Sequence, residues 1–258
     1  MTLSTEWRAP FQLPGGVIEL TIRRSTRARL VRLTIDPRHT AVVTVPSRAA
    51  RSRSDAERVA AVFVRERAEW LRRHLERQAR QRARAAAMGP IRQGALFPYL
   101  GEQHRIRIQA AEPPHRTTVS REGGEEMDEI VIRLSARERR AVPAILESWL
   151  REKARDAVLR EIDRHAAALG VEPAAVTIRD AKSRWGSCSR ERRLSFCWRL
   201  IMARPEALET VVVHELAHIR VFGHGPAFWA VVAERRPDHR VWRTWLRDHS
   251  LELHAILP

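Results

Sequence analysis

The chain has 258 residues, 47 Lys plus Arg against 31 Asp plus Glu, a formal charge of +16, 44% hydrophobic residues and two cysteines. That is long enough to bury a sizeable core, and two cysteines exclude a disulfide-rich secreted scaffold. No run of about 18 apolar residues occurs, and the amino-terminal MTLSTEWRAPFQLPGG lacks the apolar centre of a signal peptide, so a soluble cytoplasmic protein with no membrane span is expected.

Taken in order, Val17–Ile22, Leu30–Ile35 and Ala41–Val45 alternate as strands do, which predicts a small antiparallel sheet ending at Pro46. Ser54 with Glu57 reads as a capping box that opens one long helix to about Ala87. Its buried stripe is Val64, Ala68, Leu71 and Leu75, widened by Phe63 and Trp70. Residues 51–92 carry 12 arginines against 5 acidic residues, so this helix is the candidate surface for nucleic acid, which binds clustered cations by releasing counterions. The chain has only two lysines, Lys153 and Lys182, and is rich in arginine throughout, so a solvated basic face is the preferred explanation of the run.

Strands are expected to resume near Leu96, at His104–Ile108 and at Ile130–Leu134, with a polar loop over Arg121–Asp128. A helix follows from the region of Ser135 and Pro143 to Gly170, a natural stop. The run Ser183-Arg184-Trp185-Gly186-Ser187-Cys188-Ser189, followed by Leu194–Ile201, reads as a hairpin whose second strand is the candidate sheet edge. Cys188 and Cys197 flank its turn and are expected to remain thiols in a reducing compartment.

The next helix, from near Pro205, carries His214-Glu215-Leu216-Ala217-His218. Positions four apart on a helix lie one above the other, so two imidazoles can face one metal ion with Glu215 alongside. Val211, Val212, Val213 and Ala217 make this helix a buried one, and burying two histidines and a glutamate without a partner is costly. The third ligand is His224, brought back by a left-handed turn at Gly223, or else Glu234 on the following helix, which begins at Pro226. The chemistry expected of such a site is peptide hydrolysis by a zinc-activated water with Glu215 as general base. Arg184 and His239 are candidates for holding an oxyanion, by sequence proximity only. A last helix is expected around His239–Leu251.

The order RWGSC, Trp-Arg-Leu-Ile, VVVHELAH and His-Gly-Pro-Ala-Phe-Trp resembles the YgjP-like zinc metallopeptidases, relatives of the SprT-like proteases. The early IRRSTRARLVRLTI, VVTVP and Tyr99-Leu100-Gly101-Glu102 resemble the amino-terminal part of that family. Cys197 and Glu209-Thr210 stand where Asn and Asp-Tyr are usual. The resemblance implies Zn²⁺ held by His214, His218 and His224, Glu215 as base, and a protein or peptide substrate. Through the SprT-like relatives it also implies nucleic-acid-bound protein as a substrate; the alternative function is a nucleic-acid-associated protein with a structural zinc. The fold class expected is α+β. Residues 1–135 would form a β-rich region with one long basic helix, and residues 136–258 a zincin-like metallopeptidase domain with the HExxH helix.

Overall fold

A computed structural model describes residues 5–13, 16–35, 41–112 and 116–257. The architecture is mixed α+β, with three small sheets and six α-helices among these residues. No helix among them is long and apolar enough to cross a membrane. The chain divides into two compact units, Met1–Arg80 and Gln81–Pro258.

The first unit holds strands β1 (Thr5–Leu13), β2 (Gly16–Ser25), β3 (Arg32–Ile35) and β4 (Ala41–Pro46) in the order β1-β2-β4-β3. The expected all-antiparallel sheet is corrected: β1 is an additional strand paired along its whole length with β2, and β2 runs parallel to β4. Three strands alone would leave the edge of β2 unpaired, and β1 covers it. Leu20, Ile22, Val43 and Val45 from the sheet meet Ala56, Ala60, Val64 and Leu71 in one apolar core.

The single long helix expected after Pro46 is two helices, α1 (Arg53–Arg65) and α2 (Ala68–Met88). Its cap is also shifted. Ser52 stands in extended backbone, accepts from the Asp55 amide at 3.1 Å, and gives its own amide to Asp55 Oδ2 at 3.0 Å. Glu57 is instead taken by the Trp7 indole N–H at 2.8 Å and by Arg53 at 3.0 Å. Ser52→Ala is therefore expected to cost about 1 kcal/mol in urea unfolding, because the Asp55 amide at the helix start loses the hydroxyl that accepts from it. Trp70, expected in the core, is 46% exposed and stacks on His74, while Phe63 lies under the Arg67 guanidinium at 3.7 Å.

The second unit contains β5 (Leu96–Tyr99), β6 (Glu102–Ala110), β7 (Thr118–Glu122) and β8 (Glu129–Leu134), in the order β5-β6-β8-β7. Strand β7 occupies part of what was expected to be a loop. Next come α3 (Val142–Leu169), with Pro143 in its first turn, and the third sheet, β9 (Ala175–Arg179), β10 (Gly186–Cys188) and β11 (Arg193–Cys197). A short 3-10 helix (Trp198–Met202) leads to α4 (Pro205–Arg220), α5 (Pro226–Arg235) and α6 (His239–Ala255).

These elements share one core, which draws Phe97, Ile106 and Ile132 from the β5–β8 sheet, Trp149 and Val158 from α3, Phe196 from β11 and Val212 from α4. The Leu100 amide also donates to the Ile201 carbonyl at 2.8 Å. A boundary near residue 136 would cut through this shared core, and the compact units part at residues 80 and 81 instead.

The third sheet has the order β10-β11-β9. The strand expected at the edge, Leu194–Ile201, is therefore central and shorter: β11 is flanked by β10 antiparallel and by β9 parallel, and residues 198–202 form the 3-10 helix. The edge that packs against α4 is β10. Cys197 is buried and Cys188 half-buried, both as free thiols, and Cys188 stands opposite Leu194 rather than Cys197.

Candidate active site

Helix α4 starts with Pro205 in its first turn and buries Ala207, Val212, Val213, Leu216 and Ala217. An apolar helix locked on most of its circumference holds its remaining side chains at fixed positions. His214 and His218 lie on its one partly open side, their ring centroids 4.8 Å apart. The helix ends at Val221, and Gly223 adopts φ 89°, a left-handed turn that a side chain would strain. The chain reverses there, and the exposed His224 returns with its Nε2 3.1 Å from Nε2 of His214.

One nitrogen atom from each of His214, His218 and His224 lies within 4.8 Å of the others. Beneath the three rings sits Phe228, fully buried on the first turn of α5, with its centroid 4.8, 4.4 and 4.9 Å from theirs. Trp229 flanks His214 and His224 at 5.6 and 5.7 Å. Sequence reasoning left Phe228 without a role; its signal was its place one helical turn beyond His224, in the first turn of a helix opened by Pro226.

Burial pushes the His214 imidazole down to about 3, with His218 and His224 adding to the effect, and burial also lowers His218. Both rings are thus neutral near pH 7, the form that offers a lone pair to a cation. Glu215 is 5% exposed, and burial pushes its carboxyl up to about 8 against the opposing charge of Arg184. No cation lies within ion-pair distance of it among the described residues.

The other predicted residues fall as follows. Glu234 is on the exposed side of α5, paired with Arg220 at 3.3 Å, and is not part of the cluster. Arg184 is exposed, with its charge acting on Glu215. His239 is buried and stacked on Trp229 at 5.1 Å, its Nδ1 without a hydrogen-bond partner, and Arg243 lies over the same indole at 3.9 Å.

A second set of donor atoms, from Glu161, His165 and Glu209, is equally close together. Its charges are already answered. Arg235 donates to His165 Nδ1 at 3.2 Å, so His165 carries its proton on Nε2 and gives it to Glu209 at 2.8 Å. Arg236 pairs with Glu209 and Arg164 with Glu161. A cation there would have to displace that proton among three guanidiniums, whereas no ion pair or guanidinium hydrogen bond already occupies the ring nitrogens of the three-histidine cluster among the described residues.

Three imidazoles converging over an apolar floor, with the buried Glu215 on the same helix, could hold a metal ion. Comparison with protein-family models gives a match to the YgjP-like metallopeptidase domain over residues 29–249, and the chain belongs to that family. Searches of curated proteins and of solved structures gave no match.

Proposed function

We propose that this chain is a zinc-dependent peptidase of the zincin type, in which His214, His218 and His224 hold the ion and Glu215 is the general base. The observation that carries this reading is the convergence of three imidazoles at the end of α4, with the buried Glu215 next in the chain to His214. Three nitrogen donors suit Zn²⁺, and they leave the open position that catalytic zinc sites keep. Bound there, zinc supplies a Lewis acid that acidifies water and polarises a carbonyl.

The chain's own residues supply the rest. The Glu215 carboxylate takes a proton from the attacking water and passes it to the leaving amine. Burial raises the proton affinity of that carboxyl, which suits a group that must hold a proton part of the time near neutral pH. Phe228 and Trp229 keep bulk water from one side of the imidazoles. A protein or peptide substrate would lie extended along the free edge of β10, where main-chain pairing gives affinity without a demand for one sequence. Arg184, exposed and acting on Glu215, is better placed to meet a developing oxyanion than His239, which is turned onto Trp229. Two unpaired thiols fit a reducing compartment.

The nucleic-acid reading draws less support. Arg53, Arg58, Arg72 and Arg73 of the basic helices, and Arg67 between them, are already paired with Glu57, Asp55, Glu69, Glu76 and Glu66.

Purified protein is expected to carry one zinc per chain and to cleave an unfolded protein substrate. Chelation should abolish cleavage, and added zinc should restore it. Full cleavage by protein stripped of metal would overturn the reading.

A further inference from the structure

Gly186 in the RWGSC run is the first residue of β10 and stands opposite Phe196 of β11. Its φ lies outside the left-handed region, so its backbone is one that any residue adopts. The reason for a glycine is space. A β-carbon placed there would sit 2.6 Å from Oε1, 2.7 Å from Cγ and 2.9 Å from Cδ of Glu215, all below van der Waals contact.

Neither wall can retreat. On the strand side, the Trp185 carbonyl accepts from the Cys197 amide at 2.8 Å, and the Trp185 ring stacks on His254 of α6 at 4.6 Å. On the helix side, Val212, Val213 and Leu216 are fully buried, which fixes α4. The part free to move is the Glu215 side chain itself. A methyl group at position 186 would therefore turn the carboxyl out of its place and leave the scaffold standing.

We propose that Gly186 is a positioning residue: its missing side chain is the seat that holds the Glu215 carboxyl against β10. This rests on the reading of Glu215 as the general base. It gives the glycine of the RWGSC run a part in catalysis, although it touches neither metal nor substrate. A displacement of about 1 Å in a reacting group is enough to cost about 10²-fold in rate.

The test is Gly186→Ala in the zinc-loaded enzyme, beside the parent and Glu215→Gln. Zinc content should equal the parent's, and the crystal structure should show the Glu215 carboxyl moved by about 1 Å or more. The turnover number kcat should fall at least about 10-fold, with KM within about twofold. A carboxyl in its parental place overturns the proposal, as does a kcat within about twofold of the parent when Glu215→Gln is inactive. If Glu215→Gln itself still cleaves, the general-base reading fails, and the crystal structure alone decides the seat. Should Gly186→Ala not fold, Gly186→Ala combined with Glu215→Ala must fold and melt like Glu215→Ala alone, because the obstacle is gone; a double variant that stays unfolded places the crowding elsewhere and overturns the proposal.

Discussion

Glu215→Gln is expected to lower kcat by roughly 10²- to 10⁴-fold, with zinc content unchanged. The amide keeps the shape of the side chain against Gly186 and cannot accept the proton of the attacking water. The loss should therefore appear in kcat rather than in KM, measured on one peptide at saturating concentration. Activity within about tenfold of the parent would remove Glu215 from its proposed role.

The same substitution has a second readout in metal-free protein. Burial raises the folded-state pKa of Glu215 from 4.5 to about 8, so between these values the folded chain holds a proton that the unfolded chain releases. Stability from this group is full below about pH 4.5 and is lost as the pH rises through about 8. Glu215→Gln, which does not ionise, should remove this downward slope from the melting temperature. An identical pH dependence in both proteins would mean that the carboxyl is not buried as described.

His224→Ala is expected to weaken zinc binding by more than about 100-fold, since even residues that only orient a metal ligand are worth 10- to 100-fold. His224 is exposed at the turn after Gly223, so its removal should leave the metal-free protein with the parent's melting temperature. Zinc should then raise the melting temperature of the parent and not of the variant, because a ligand stabilises only the state that binds it. Zinc retained by His224→Ala through dialysis against a weak chelator would return Glu234 to consideration, despite its pairing with Arg220.

Much of the site could be read before any coordinates. The spacing of His214 and His218 follows from helical pitch, and Gly223 and Pro226 announced where one helix ends and the next begins. These are local signals, carried by residues within a few positions of one another. The same kind of reading misplaced the first cap by two residues, because Ser52 and Ser54 offer equivalent patterns and only the backbone decides which stands at the helix start. Trp70 was misassigned for a related reason: a periodic stripe counted from α1 assumes one continuous helix, and the helix is broken at Glu66 and Arg67.

What the sequence by itself determined is the grouping of histidines at the end of α4, the membership in a metallopeptidase family, and most elements of the second unit. Only the tertiary structure decided that β11 is central and β10 the free edge, and that the β5–β8 sheet shares its core with helices α3 and α4. It also decided that Gly186 makes room for Glu215. Each of these is a contact between segments far apart in the chain, fixed by which surfaces pack together, and neither helical nor strand periodicity records which partner a buried face will meet.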